Sequence, residues 1–223
     1  MIKIAIDGPG GAGKSSVAKL VAKKLGIVYV DTGALYRTIG YYVKEKGIDP
    51  KDAPSVVSCL PNIKIEVKFV DGTQKVFLNE EDLGDKIRTP EMSMYASAVS
   101  AIGEVRSFLL DTQRDIAKKN SVIMDGRDIG TVILPDAEVK IFLFASPECR
   151  AKRRYEELRA KGQDVSFEDV LREMNERDKN DSEREIAPAK PAEDAIMLDN
   201  SDLDLEGTAD AIIAIVKEKT ESK

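Results

Sequence analysis

A glycine-rich segment near the N-terminus constrains this 223-residue chain more than any other feature. Residues 8–15 read Gly-Pro-Gly-Gly-Ala-Gly-Lys-Ser, which fits the phosphate-loop pattern G-x-x-x-x-G-K-S/T. The apolar residues 2–7 predict a buried strand before this loop, and helical spacing of apolar residues predicts a helix over 15–25. Such a loop brings backbone amides close to phosphate oxygens and directs a positive helix N-terminus at the anion. The chain is therefore expected to bind a phosphorylated ligand.

The two side chains that end the loop favour ATP and Mg²⁺ as ligands. Lys14 is expected to reach the β- and γ-phosphates, and the Ser15 hydroxyl to bind the metal ion, whose other ligands would be mostly water and phosphate. We predict an ATP-dependent phosphotransferase in which Lys14 is catalytic. The predicted ATP-binding residues of this segment are Gly8, Pro9, Gly10, Gly11, Ala12, Gly13, Lys14, Ser15 and Ser16.

The same glycines also fit a different cofactor class. Gly8, Gly10 and Gly13 satisfy the dinucleotide fingerprint G-x-G-x-x-G, and Asp31 ends the second predicted strand, near where a Rossmann fold places its ribose-binding acid. The Lys-Ser pair favours ATP, because a Rossmann pyrophosphate is held mainly by backbone amides. The loop alone leaves an NAD-dependent oxidoreductase open. A GTP-driven switch is a weaker alternative, because the chain has no Asn-Lys-x-Asp guanine motif.

Composition limits the chemistry that is possible. The chain has no histidine, which excludes Ser-His-Asp triads, histidine bases and histidine-ligated metals. Its two cysteines, Cys59 and Cys149, lie far apart without zinc-site spacing, and a disulfide is not expected. Catalysis must then use lysine, arginine, carboxylates, hydroxyls or a metal ion held by oxygen ligands.

Charge and hydropathy indicate which partners to expect. The formal net charge of −6 does not favour nucleic acid, so an anionic substrate would need a local basic pocket. Arginines are concentrated between residues 150 and 184. No apolar run approaches the roughly 20 residues that span a bilayer, and the N-terminal run is too short for a signal peptide. We expect a cytoplasmic monomer that binds neither nucleic acid nor membrane.

The order of elements predicts an α/β fold. Apolar runs predict five strands, at residues 2–7, 27–31, 121–125, 139–144 and 195–198. Helices are predicted at residues 15–25, 32–46, 90–119, 149–158, 167–178 and 205–219. Because strands alternate with helices, we predict a three-layer fold around a central parallel five-stranded sheet.

One segment departs from this alternation. Within residues 63–79, Ile63, Ile65, Val67 and Phe69 occupy every second position, and Asp71-Gly72 follows, which predicts a small antiparallel hairpin inserted into the parallel fold. Residues 47–62 contain three prolines and are predicted to be irregular.

Three further motifs accompany the loop. Residues 31–37 read Asp-Thr-Gly-Ala-Leu-Tyr-Arg, residues 125–131 read Asp-Gly-Arg-Asp-Ile-Gly-Thr, and residues 176–184 read Glu-Arg-Asp-Lys-Asn-Asp-Ser-Glu-Arg. Together with the loop, this ordered set resembles the bacterial cytidylate kinases, which are nucleoside monophosphate kinases with a phosphate loop. The resemblance covers essentially the whole chain, including the inserted hairpin.

The resemblance implies one kinase domain and one reaction. Its core would comprise residues 1–31, 107–147 and 190–223, with a monophosphate-binding arm at 32–106 and a helical lid at 148–189. The reaction would be transfer of the γ-phosphoryl group from ATP to CMP or dCMP, and UMP or another small acceptor remains an alternative. The acceptor phosphate, with a second pKa of about 6, needs no strong base, so the absence of histidine is no obstacle.

Residue roles follow from the matching motifs. Arg37 and Arg127 resemble clamps for the CMP phosphate, because a planar guanidinium can engage two oxygens. Asp128 would accept a hydrogen bond from the cytosine amino group, whereas the uracil carbonyl would be repelled. The CMP-binding residues that the resemblance implies are Thr32, Arg37, Ser97, Arg106, Arg127, Asp128, Asp181 and Arg184, of which Ser97 and Arg106 contact the base and Asp181 and Arg184 the ribose.

The resemblance further implies a mobile lid that carries arginines, which closes over the phosphates and excludes water. Its arginines would be Arg150, Arg153, Arg154 and Arg177. Arg153 is expected to bind ATP, and Arg127 and Arg177 are expected to act with Lys14 in catalysis. Asn180 stands where some relatives have another arginine. Either Asp125 or Asp128 could be the carboxylate beside the Mg²⁺ site.

Overall fold

A computed structural model describes residues 1–70 and 72–221. The strands are β1 Lys3–Asp7, β2 Val28–Asp31, β3 Ile65–Val70, β4 Thr73–Leu78, β5 Glu81–Asp82, β6 Val122–Asp125, β7 Val139–Phe144 and β8 Ile196–Asp199. The helices are α1 Lys14–Leu25, α2 Thr32–Glu45, α3 Ala53–Cys59, α4 Pro90–Val99, α5 Gly103–Lys119, α6 Pro147–Ala160, α7 Phe167–Glu183 and α8 Leu205–Glu221. The chain divides into a first unit, residues 1–27 with 121–223, and a second unit, residues 28–120.

The central sheet has five strands in the order β2-β6-β1-β7-β8. Within the first unit, β1 pairs in parallel with β6 on one side and with β7 on the other, and β7 pairs in parallel with β8. Ile4 and Ile6 of β1 are fully buried, as is typical of a parallel strand covered on both faces. The fold class predicted from the sequence, a parallel α/β sheet with a small antiparallel insertion, is confirmed.

The position of β1 determines where the glycine-rich loop begins. Because β1 lies between β6 and β7, its carboxyl end opens at an edge where α/β sheets commonly bind ligands. Gly8 follows at once with φ +145°, and a β-carbon there would lie 2.0 Å from the Leu143 carbonyl oxygen. Only glycine fits that approach, so the first residue of the loop is fixed by packing on β7.

The second unit has its own core and its own sheet. Strands β3, β4 and β5 form an antiparallel sheet, in which Ile65 is opposite Leu78 and Val70 is opposite Thr73. The predicted hairpin is thereby confirmed, and Gly72 has φ +72°, whereas Asp71 lies outside the described residues. Helix α2 packs closely on α4, since a β-carbon at Gly40 would lie 2.8 Å from that of Tyr95.

The structure corrects the single helix predicted over residues 90–119. It contains two helices, α4 and α5, and the chain between them is extended at Ile102 with φ −87° and ψ 120°. Arg106 Nη1 donates to the Ser100 carbonyl oxygen at 3.0 Å, which satisfies a group that the end of α4 leaves without a helical partner. A side chain from the next helix thus binds the backbone at the break.

Two other regions differ from the sequence prediction. Residues 47–62 contain the short helix α3, because Asp52 caps it and proline is tolerated in a first helical turn. Helix α7 continues to Glu183, five residues beyond the predicted end at 178, so Asp181 is helical. Among the described residues, no helix combines the length and apolar character required to cross a membrane.

Candidate active site

The glycine-rich loop encloses a buried lysine. Lys14 is only 6% exposed, and its Nζ donates to the Pro9 carbonyl oxygen at 2.6 Å across the loop. Burial lowers the pKa of Lys14 well below its usual value, and the neighbouring Arg127 guanidinium lowers it further, although Asp125 acts in the opposite direction. An anion bound in the loop would favour the charged form of this lysine.

Ser15, the second residue of α1, contacts the end of β6. Ser15 Oγ donates to Asp125 Oδ2 at 2.7 Å, and Asp125 is the last residue of β6. Of the two carboxylates that the sequence leaves open beside the Mg²⁺ site, Asp125 contacts the serine. Within residues 1–70 and 72–221, no group of three or more Asp, Glu or Cys side chains could hold a metal ion by itself.

Two acid–arginine pairs join the segment after β6 to the end of α7. Arg127 Nε donates to Asp181 Oδ2 at 2.9 Å, and Arg184 Nη2 lies 3.9 Å from Asp128 Oδ1. Burial by itself would raise the pKa of Asp181, but Arg127 and Arg177 together hold that pKa below its usual value. The structure therefore brings together Arg127, Asp128, Asp181 and Arg184, all four of which the sequence implicates.

Two predicted catalytic arginines lie next to the loop. A β-carbon placed on Gly10 would lie 3.8 Å from Arg127 Nη2 and 4.0 Å from Arg177 Nη1. Both guanidinium groups also influence the charge state of Lys14. Arg127, Arg177 and Lys14 thus form one cationic cluster around the loop.

Helix α6 contributes two further arginines to this region. Arg150 Nη1 donates to the Gly10 carbonyl oxygen at 2.7 Å and to Asp178 Oδ2 at 2.5 Å. Arg153 Nη2 donates to the Asn200 carbonyl oxygen at 2.7 Å. Arg154, in contrast, pairs with Glu157 one turn along its own helix.

The remaining predicted residues lie in the second unit. Asp31 caps α2 by accepting from the Ala34 amide at 2.9 Å, and its Oδ2 accepts from Arg37 Nη2 at 2.8 Å. Gln74 of β4 binds both backbone groups of Asp31, accepting from its amide at 2.7 Å and donating to its carbonyl at 3.1 Å. The inserted hairpin is thereby attached to the start of the Asp-Thr-Gly-Ala-Leu-Tyr-Arg motif.

The base-contacting candidates lie on α4 and α5 of the same unit. The guanidinium of Arg106 is 5.5 Å from the ring centroid of Tyr36, and the side chain is nearly buried. Ser97 is half-buried on α4, and Thr32 is buried at the first position of α2. Tyr36 therefore does more than fill the core, because its ring face supports a predicted substrate-binding arginine.

Comparison with known proteins shows the family of this chain. The family model described as cytidylate kinase matches residues 4–218. The chain belongs to the cytidylate kinase family. Curated cytidylate kinases from Fervidobacterium nodosum and Caldicellulosiruptor bescii are 52% and 51% identical, covering 99% and 96% of this chain and 99% and 95% of their own. One from Bacillus cereus is 49% identical over 96% of both chains.

A solved structure supports the fold of this cytidylate kinase family member. It is an uncharacterized protein from Eubacterium ventriosum, with a TM-score of 0.54 and 17% identity, and the match covers 97% of this chain and 99% of the other. At this identity the likeness concerns the fold alone.

The oxidoreductase alternative receives no support in this family. Asp31, which would have to hold a ribose, instead caps α2 and pairs with Arg37. Lys14 and Ser15, which a Rossmann fold would not need, both make specific contacts within the loop region.

Three polar residues at the site were not identified from sequence. Asp178 Oδ1 accepts from the Gly10 amide at 3.1 Å, Asn200 Nδ2 donates to the Ala12 carbonyl oxygen at 3.0 Å, and Asp7 binds the turn after Asp128. Asp178 could have been found, since it precedes Asp181 by one helical turn in a quoted motif. Asn200 carried no local signal, because it lies 188 residues from Ala12.

Proposed function

We propose that this protein transfers the γ-phosphoryl group of ATP to CMP or dCMP, giving ADP with CDP or dCDP. The observation that carries the proposal is the cytidylate kinase match over residues 4–218, supported by Lys14, Arg127 and Arg177 at the loop. Membership of a kinase family implies nucleotide substrates with ATP as the phosphoryl donor. We further propose that the enzyme acts as a cytoplasmic monomer.

Catalysis is proposed to rest on alignment and charge neutralisation. The acceptor phosphate is already ionised near neutral pH, so no protein base has to remove a proton. Lys14, Arg127 and Arg177 would neutralise charge on the transferring phosphoryl group and the leaving diphosphate. Burial of Lys14 helps, because an electrostatic contact is stronger where water is excluded.

The loop region fits Mg²⁺. The donors present are a serine hydroxyl and a carboxylate, the oxygen ligands that this ion prefers, and Ser15 is already bonded to Asp125. We propose that Ser15 is a direct ligand and that Asp125 orients it, with water and ATP phosphates completing the shell. The bound ion would neutralise phosphate charge.

Residues of each unit are proposed to take part in CMP recognition. In the first unit, Arg127 would bind the substrate phosphate, Asp128 would accept from the cytosine amino group, and Asp181 and Arg184 would hold the ribose. The Asp128 assignment is supported by its position, because this buried carboxylate lies 3.9 Å from Arg184 Nη2, beside the other residues proposed to bind CMP in this unit.

In the second unit, Arg37 is proposed to grip the phosphate, with Thr32 beside it, and Ser97 and Arg106 to contact the base. The rigid fixing of Asp31 by Gln74 supports a role for the hairpin in holding Arg37 in place. We propose that residues 32–106 act as the monophosphate-binding arm, that residues 148–189 act as the lid with Arg153 binding ATP, and that residues 1–31, 107–147 and 190–223 form the core.

A coupled assay tests the function directly. Purified protein and MgATP are mixed with CMP, dCMP, UMP, AMP or GMP, and ADP release is followed. Strong turnover with CMP and dCMP and little with AMP or GMP is expected. The proposal is wrong if no monophosphate raises ADP release above background, and turnover highest with UMP would replace CMP by UMP as the acceptor.

A further inference from the structure

A buried carboxylate behind the active site caps a turn that belongs to another element. Asp7 is the last residue of β1 and is 4% exposed. Its Oδ1 accepts from the Ile129 amide at 2.7 Å, and its Oδ2 accepts from the Gly130 amide at 2.8 Å. These are the first two amides of a π-helical turn, Ile129–Ile133, and amides at the start of a helical turn have no partner within it.

The residue expected to cap this turn does not do so. Asp128 stands at the N-cap, where an aspartate normally accepts from the next amides, but its side chain makes no cap bond. Asp128 Oδ1 lies instead 3.9 Å from Arg184 Nη2. Because Asp7 binds the amides, the Asp128 carboxylate is directed to the substrate-binding arginine.

The turn is held tightly against Asp7. A β-carbon at Gly130 would lie 3.4 Å from Asp7 Oδ2 and 3.1 Å from Lys140 Cδ, so the backbone approaches both side chains closely. Since Asp7 precedes Gly8 directly, one residue connects the glycine-rich loop with the segment that carries Arg127 and Asp128.

Retaining a carboxylate at this position is unfavourable for folding. Burial is the main effect and raises the pKa of Asp7 to about 6; the amides of Gly130 and Ile129 and the charge of Lys14 oppose it, and the charge of Asp128 adds to it. The two amide hydrogen bonds offset this cost only in part, since the pKa stays raised.

We propose that Asp7 is a positioning residue, which fixes the Arg127–Asp128 segment by capping the turn behind it and so prepares that segment to bind the acceptor nucleotide. The choice of CMP as the acceptor rests on the function proposed above. The capping itself does not.

Steady-state kinetics of Asp7→Asn test the positioning role. Asparagine has the same shape but one acceptor oxygen, and its amino group would oppose one of the two amides. We expect the KM for CMP to rise about tenfold and the KM for ATP to change less than about twofold, because the displaced groups are those facing CMP. Asp52→Asn, which alters an exposed cap on α3, is the matched control and should leave both constants unchanged.

A merely structural Asp7 would give a different result. It would lower the fraction of active enzyme, and hence the apparent kcat, without changing either KM, and this outcome would overturn the proposal. The CMP-to-UMP preference should also fall in Asp7→Asn, since Asp128 could then return to capping its own turn.

Hydrogen exchange of the nucleotide-free protein tests the capping role of Asp7 independently of the proposed kinase reaction. The Ile129 and Gly130 amides should exchange at least about tenfold faster in Asp7→Asn, while the Ile141 amide in β7 keeps its rate. Unchanged exchange at both residues would overturn the capping role whatever the substrate is. If the wild-type protein fails to phosphorylate CMP, the proposed function falls, and the exchange result alone decides the role of Asp7.

Discussion

Replacing Asp7 by asparagine should change how the stability of the protein depends on pH. Burial raises the pKa of Asp7 from 3.8 to about 6, so the folded protein holds this proton more tightly than the unfolded chain. Protonation therefore stabilises the fold. The contribution is fully present below pH 3.8, declines as the pH rises, and is lost above pH 6.

The size of the effect follows from the two pKa values. A folded pKa of about 6 against an unfolded value of 3.8 corresponds to about 3 kcal/mol over the complete titration. Between pH 7 and pH 5 the wild-type protein should gain about 1.3 kcal/mol of stability relative to Asp7→Asn, which has no proton to bind there. Asp128 and Lys14 are the charged groups that influence Asp7, and they are present in both proteins.

Urea unfolding of both proteins at pH 5 and pH 7 measures this difference. The free energy of unfolding is extrapolated to zero urea, and Asp52→Asn controls for the loss of one negative charge at an exposed position. The reasoning is refuted if the difference between wild type and Asp7→Asn is the same at both pH values. It is also refuted if the wild type gains stability relative to Asp7→Asn at the higher pH.

Three substitutions test the proposed site. Lys14→Ala should lower turnover at least roughly a hundredfold without unfolding the protein, as thermal denaturation will check, because it removes an electrostatic contact to the transferring group. Asp128→Asn should relax the preference for CMP over UMP, and an unchanged ratio would remove Asp128 from base recognition. Arg153→Ala should raise the KM for ATP, because Arg153 binds the backbone carbonyl of Asn200, and the Asn200 side chain in turn donates to Ala12 of the glycine-rich loop. Arg154→Ala is its control, and an equal effect of both would argue against a specific role for Arg153.

Local features of this protein could be predicted from the sequence alone. The glycine-rich loop is contiguous, so its conformational demands are visible in residues 8–15. Gly26 ends α1 in a left-handed conformation, as expected from its place after the apolar pattern. The strand after residue 121 and the hairpin with Ile65 and Val67 likewise follow from patterns within a few residues. The family resemblance extended this to residue roles, which stay proposals.

The fold also decided features that no local pattern contains. The helix over residues 90–119 is broken where Arg106 binds the Ser100 carbonyl, and the sequence does not indicate that a side chain six positions away would do this. Asp178 meets Gly10 across 168 residues, and Asp7 meets Ile129 across 122. Such contacts depend on which strands become neighbours in the sheet.

Asp7 shows the difference most clearly. In the sequence it is only the polar end of an apolar strand, and Asp128 has the better position to cap the turn that follows it. Because β1 pairs with both β6 and β7, the end of β1 lies beside that turn, and Asp7 accepts from its amides. The sequence determined that a phosphate loop would form after β1, and the tertiary structure decided which of two aspartates caps the turn and which faces Arg184.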